Sequence, residues 1–145
     1  MKVLVIHGPN MNVLDKRDKS IYGNYTIDIV NDQLRKKAKE LDISIEVFQS
    51  NSEGEIIDKL QMAIDSDIDG VIINPGGYTH YSVSIRDAIE LLDIPVIEVH
   101  LSNIYSREDF RRKSVIAPVC NGQITGLGIY SYLLALEAIK MINNN

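Results

Sequence analysis

Three short runs of apolar residues set the tightest limit on how this chain folds: Val3-Leu4-Val5-Ile6, Gly70-Val71-Ile72-Ile73 and Pro95-Val96-Ile97-Glu98-Val99. Strands of this length that are apolar at nearly every position bury both faces, which happens in a parallel sheet covered by helices on two sides. The stretches between them have helical spacing. Ile27, Val30, Leu34, Ala38 and Leu41 recur every three or four residues, predicting a helix from Thr26 to Leu41, with Thr26 and Asp28 favouring a start there. Ser52-Glu53-Gly54-Glu55 has the pattern of a capping box and opens a helix to about Ser66. Further helices are expected from about Ser82 to Leu92 and from about Gly128 to Ile142. Ile43 to Phe48 alternates apolar with polar and reads as a strand, and a weaker strand is expected near Val119 to Thr125.

This is βα alternation repeated five times in 145 residues. A closed eightfold barrel needs far more chain, so the expectation is an α/β fold with an open, doubly wound, five-stranded parallel sheet and helices on both faces. No linker, repeat or low-complexity segment divides it, apart from a short Asn tail, so residues 1–145 read as one domain.

Composition excludes several classes of function. Hydrophobic residues make up 45% and charged residues 24%, as in ordinary globular domains. The formal net charge is −5 and no basic block accompanies it, which argues against nucleic-acid binding. Cys120 is the only cysteine, so neither an intrachain disulfide nor a multi-Cys metal cage can form. The apolar run at the N-terminus covers only four residues, too short for a signal sequence or a membrane span. A cytoplasmic protein without membrane partners is the expectation.

Ligands in open α/β sheets bind outside the carboxyl ends of the strands, near the point where strand order reverses. Polar residues collect there. His7-Gly8-Pro9-Asn10 follows the first strand, and the loop beyond it carries Arg17, Tyr22 and Tyr25. Asn74-Pro75-Gly76-Gly77 and His80 follow the third; His100, Leu101, Ser102 and Asn103 end the fourth, with Arg107, Arg111 and Arg112 in a short helical turn beyond. The connection from Gly8 to Tyr25 is long for a βα loop, typically about two to six residues, and reads either as a binding loop or as a mobile surface loop with a solvated charge run.

Each residue alone also has a plainer reading. Asn10 fits an Asx turn after Pro9, and His80 a helix cap. Glu98 and His100, two apart on a strand, share a face and fit a satisfied polar pair, although a charge in a core strand is costly unless used. Gly76-Gly77 fits a tight turn, and Arg111-Arg112 ordinary surface charge. The three histidines lack HxxxH or HExxH spacing, there is no GxSxG elbow, and no phosphate-binding glycine loop follows the first strand.

Four ordered segments together resemble the type II 3-dehydroquinate dehydratases. They are Gly8-Pro9-Asn10-Met11-Asn12 with Arg17 and Tyr22-Gly23, then Asn74 to His80, then Ile97 to Asn103, and Arg107 to Arg112. Gly126-Leu127-Gly128 and Tyr132 to Leu136 are similar to the start of that family's last helix. Departures lie at Asp15, where the family often has Gly, and at Asp18-Lys19, where it has Glu-Pro; both bear on the dynamics of the loop. The resemblance implies a flavodoxin-like fold, trimers assembled into dodecamers, and no metal or cofactor. It implies anti elimination of water from 3-dehydroquinate to 3-dehydroshikimate through an enolate, a step of the shikimate pathway of aromatic amino acid biosynthesis that quinate breakdown shares.

The roles implied by the resemblance are specific. Tyr22, as tyrosinate, takes the proton; a free tyrosine is ionised well below about one percent near neutral pH, so cations must stabilise the anion, with Arg17 and its helper Arg111 as the candidates. His100, oriented by Glu98, protonates the departing hydroxyl. Asn10 helps to stabilise the enolate oxygen through a water. Asn74, Ser102 and the Leu101 N–H hold the substrate carboxylate, His80 and Arg111 bind ring hydroxyls, and Asp87 reaches a neighbouring subunit's site. Two rival readings stand beside this one. A signalling receiver or flavin carrier needs an acidic pair or a Ser/Thr-rich loop after the first strand, where this chain has His7-Gly8-Pro9-Asn10. A non-catalytic relative would keep the pocket without the reaction, which an assay separates.

Overall fold

Every residue from Val3 to His7 is buried, and the computed structural model, which describes residues 1–145, shows where the two faces go. Strand β1 (Lys2–His7) lies between β2 (Ser44–Gln49) and β3 (Gly70–Asn74), with β4 (Val96–His100) and β5 (Gly122–Thr125) completing a parallel sheet of order β2-β1-β3-β4-β5. Strand order reverses at β1, so the switch point lies between β1 and β3.

Successive residues point to opposite faces. Val3, Val5, Ile72, Ile97 and Val99 pack against α2 (Ile27–Glu40) and α5 (Tyr130–Asn143), through Val30, Leu34, Tyr132, Leu136 and Ile139. Leu4, Ile6, Val71, Ile73 and Val96 pack on the other face against α3 (Glu53–Ala63) and α4 (Val83–Glu90), through Ile56, Leu60, Ile85 and Ile89. Each such fully buried side chain contributes roughly 1.5–3 kcal/mol of transfer free energy, so the unbroken apolar runs hold the sheet in place.

The helix starts follow their caps. Thr26, Ser52 and Ser82 accept hydrogen bonds from the N–H groups of Ile29, Glu55 and Ile85. The capping box at Ser52 is only half formed. The Glu55 carboxylate takes the Ser50 hydroxyl instead of reaching back to the Ser52 N–H, which itself donates to Ser50 Oγ.

Two expectations change. The segment between β1 and α2 is not an unstructured loop: Met11–Lys16 forms a 3₁₀ helix anchored by buried Met11 and Leu14, and Lys19–Tyr22 a short α-helix, α1. Asp18, one of the departures from the family pattern, caps α1 by accepting from the Ser20 N–H and hydroxyl. Gly23 ends it at φ 82°, where a Cβ would meet the Tyr25 ring. The last strand is also shorter than expected, because Ala117–Val119 forms a 3₁₀ turn around Pro118 and pairing begins only at Gly122. Proline has no N–H for a ladder.

The ends of β1 and β3 approach closely. His7 is in register with Asn74, and the Gly8 N–H donates to the Asn74 carbonyl at 2.7 Å. A Cβ on Gly8 would lie 2.6 Å from that oxygen and 2.8 Å from the Pro75 carbonyl carbon, both backbone atoms that cannot step aside. Gly8→Ala is therefore expected to cost about 2 kcal/mol or more, as overpacking does, and to shift the urea midpoint without changing the slope. An unshifted midpoint would show that the two strand ends separate freely.

Candidate active site

A cleft at the carboxyl end of the sheet, with about 390 Å³ of empty space partly open to solvent, is lined by residues from the turns after β1, β3 and β4. Asn74 reaches it from the α2/α5 face of the sheet. Glu98 and His100 lie on the α3/α4 face, since Glu98 is in register with Ile73. The 3₁₀ turn Gly76–His80 supplies His80, β4 and its extension supply His100, Leu101 and Ser102, and α1 supplies Tyr22 as its last residue.

Tyr22 is held between cations. Arg17 Nη2 donates to the Tyr22 hydroxyl at 2.5 Å, and its guanidinium carbon lies 3.7 Å from the ring centroid. Arg107 lies 5.0 Å from the same centroid and also approaches Ser102 Oγ at 3.4 Å. Burial holds the Arg17 guanidinium below its ordinary pKa; Tyr22 opposes that shift, while the charges of Arg107 and Arg111 add to it. Two arginines thus flank one phenol, and a third lines the same cleft. Arg111 is turned by Glu108, which accepts from its Nε at 2.6 Å, and Arg112 pairs with Asp109 on the surface, where the plain reading of surface charge holds for it.

Glu98 is fully buried. Burial would raise its carboxyl, but His100, Thr79 and Gln123 outweigh it and leave the group below the usual carboxylate range. Thr79 Oγ1 donates to Oε1 at 2.5 Å, Ser114 Oγ donates at 2.8 Å, and the Gln123 amide donates to Oε2. His100 Nε2 stands 3.5 Å from Oε2, and its Nδ1 makes no hydrogen bond within the chain. Glu98 and the Thr79 hydroxyl, 3.4 Å from the same nitrogen, thus lie on one side of the ring and leave Nδ1 without a partner in the chain. Thr79, Ser114 and Gln123 carried no signal of this in the sequence, because only the folded register brings them to Glu98.

Asn74 is anchored in a buried chain of hydrogen bonds. Its Oδ1 accepts from the Gly76 N–H at 3.1 Å, and its Nδ2 donates to the Tyr132 hydroxyl at 3.0 Å and weakly to Met11 Sδ at 3.6 Å. Tyr132 Oη lies 2.9 Å from His7 Nδ1, and His7 Nε2 2.8 Å from Asn31 Oδ1. Burial lowers the His7 pKa to about 4, against a smaller upward pull from Asn31. Burial likewise raises the Tyr132 phenol, against Asn74.

The remaining residues are placed less centrally. His80 lines the cleft with Nδ1 on the Lys113 carbonyl at 2.8 Å; it caps no helix, since Ser82 caps α4. Asn10 is exposed and outside the lining, at φ 69°, with its N–H on Asn51 Oδ1 and no side-chain turn bond. Asp87 is exposed on α4, away from this cleft. Burial, reinforced by the charge of Glu98, pushes the Cys120 thiol up to about 12, which keeps it from acting as a nucleophile. No group of three or more His, Cys, Asp or Glu side chains is arranged to hold a metal ion, and no helix is long and apolar enough to cross a membrane.

Residues 1–140 match the family model described as dehydroquinase class II. The chain is 57% identical over 141 residues to a 3-dehydroquinate dehydratase of Caldicellulosiruptor saccharolyticus, covering 97% of each. It is 55% identical over 140 residues to that of Thermotoga maritima, covering 97% of this chain and 95% of the relative. The crystal structure of the type II dehydroquinase from Butyrivibrio crossotus superposes with a TM-score of 0.95 at 49% identity, covering 97% of both chains.

The buried His7 gives the fold a pH dependence. Its folded pKa lies below its unfolded value, so the unfolded chain binds the proton first as pH falls. Stability is then lost progressively from about pH 6.5 down to about 4, by an amount on the order of 3 kcal/mol. Urea unfolding of the wild type and of His7→Gln across that range is expected to show the wild type losing more. Parallel profiles would mean that His7 protonates in the folded protein.

Proposed function

The chain belongs to the class II dehydroquinase family and is a 3-dehydroquinate dehydratase, a hydro-lyase, and from that premise we propose how its cleft carries the reaction. Tyr22 is the base that removes a proton from the carbon beside the ketone. The observation that carries this assignment is the Arg17 guanidinium, hydrogen-bonded to the phenol oxygen at 2.5 Å and stacked on its ring. A fixed cation at that oxygen favours phenolate, and arginine cannot quench it by giving up a proton. Arg107 and Arg111 add to the same field across the cleft.

The elimination then needs a proton on the opposite side of the breaking C–O bond. His100 supplies it from Nδ1, with Glu98 stabilising the imidazolium from behind and Thr79, Ser114 and Gln123 keeping Glu98 ionised and still. The carboxylate of the substrate sits between the Asn74 amide, Ser102 and the Leu101 N–H, while His80 and Arg111 meet ring hydroxyls. Asn10, whose carboxamide is free beside the lining residue Met11, acts on the enolate oxygen through a water.

We infer further that the protein works as one domain over residues 1–145, in the cytoplasm, as a homo-oligomer of trimers assembled into a dodecamer, and serves the shikimate pathway. Asp87 supports the assembly: with Val83 on α4 and Leu91 at its C-cap it is spaced by four residues, and both apolar members are 58% exposed. A carboxylate set in an apolar stripe suits a residue that reaches into a neighbour's cleft.

The test follows the conjugated enone product by ultraviolet absorbance after 3-dehydroquinate is added to chelator-treated protein. Tyr22→Phe is expected to abolish turnover while product affinity stays within about tenfold, roughly 1.4 kcal/mol. His100→Ala is expected to collapse kcat as well. Full turnover by Tyr22→Phe would remove Tyr22 as the base.

A further inference from the structure

We propose that the buried Tyr132–His7 pair is a positioning device for the reaction, which holds the Asn74 carboxamide so that one of its N–H donors faces the substrate. The inference rests on the reading of Asn74 as a carboxylate-binding residue. Neither Tyr132 nor His7 lines the cleft, and neither is exposed, so any effect they have on the substrate must pass through Asn74.

The hydrogen bonds leave one self-consistent arrangement. The Gly76 N–H can only donate, so the atom it meets on Asn74 is the carbonyl oxygen and the other is the amide nitrogen. That nitrogen donates to Tyr132 Oη, which frees the tyrosine hydrogen for His7 Nδ1. His7 must then be neutral with its proton on Nε2, which is the nitrogen facing Asn31 Oδ1. A protonated His7 would set a donor against the tyrosine hydroxyl. Burial favours the neutral ring, so charge and tautomer agree.

The two amide hydrogens of Asn74 are thus made unequal. One is committed to Tyr132 by a neutral chain that ends on α2. The other meets only the thioether of Met11 at 3.6 Å, a weak acceptor that a carboxylate outcompetes. Without the tyrosine hydroxyl, the donor that now points to the cleft would be drawn inward or shared. Tyr132 therefore acts as a positioning residue on binding, with Tyr22 and His100 untouched.

Steady-state kinetics on Tyr132→Phe, which keeps the ring and removes the hydroxyl, reads this directly. KM for 3-dehydroquinate is expected to rise by about tenfold while kcat stays within about threefold. Asn74→Ala is expected to raise KM at least as far, and the double variant to be no worse than Asn74→Ala alone, because both changes remove the same contact. A loosened core would instead multiply with the Asn74 effect and lower kcat. If Asn74→Ala raises KM and Tyr132→Phe does not, or if the two effects multiply, the positioning role is overturned and the carboxylate reading stands. If Asn74→Ala leaves KM unchanged, the carboxylate reading falls and the inference with it. Should Tyr132→Phe not accumulate as folded protein, His7→Leu reads the chain from its other end, with the same split and the same non-additivity expected; a multiplicative effect there overturns the proposal.

Discussion

The cleft depends on the register of β1 against β3. Pairing sets His7 opposite Asn74 at the last rung, and the Gly8 N–H closes the ladder on the Asn74 carbonyl. A slip of β1 by one residue would turn Val3, Val5 and His7 to the wrong face, exchanging that strand's two apolar faces and removing His7 from Tyr132. The apolar runs that fix the register are therefore also what places the first functional side chain. Strand order reverses at β1, so these paired strand ends mark the switch point at which open α/β sheets bind ligands.

A second constraint sits two strands away. Glu98 occupies a core position of β4 where its sheet neighbour is Ile73, and a carboxylate there is expensive to bury. The fold answers with Thr79 from the turn after β3, Ser114 from the segment before β5 and Gln123 from β5 itself. Each donor comes from a different segment, so the charge is compensated only when β3, β4 and β5 are all in place. The cost of the buried charge is met by the assembled tertiary structure, which keeps an ionised carboxylate beside His100.

The parts of this molecule that were legible in the sequence are those with a local physical cause. β1, β3 and β4 announce themselves by apolar runs buried on both faces, α2 by its period and a start at Thr26, and α3 by its cap at Ser52, whereas the cap of α4 is Ser82 and not His80. Arg17, Tyr22, Asn74, His80, His100, Ser102 and Arg111 were placed at one edge by topology, and the fold does gather them around one cleft. The segment after β1 was not legible, because a six-residue 3₁₀ helix and a four-residue α-helix are too short to show a period. Their positions are set by Met11 and Leu14 entering the core. Arg107 over Tyr22, Thr79 on Glu98 and Tyr132 on Asn74 were also hidden, since each partnership joins segments that only the fold brings together. Asn10 and Asp87 gain no contact with the cleft within one chain.

The electrostatics of the cleft run against those of the molecule. The chain carries a formal charge of −5, yet Arg17 and Arg107 lie over the Tyr22 ring and Arg111 lines the same cleft. Three guanidiniums at short range repel one another, and burial of Arg17 adds to that cost. Glu108 offsets part of that repulsion, accepting from Arg111 Nε at 2.6 Å and lying 3.9 Å from Arg107 Nε. The cleft thus presents clustered positive charge although the molecule as a whole is negative. The phenol reaches these arginines from a segment seated on the core by Met11 and Leu14, so core packing sets where Tyr22 meets them.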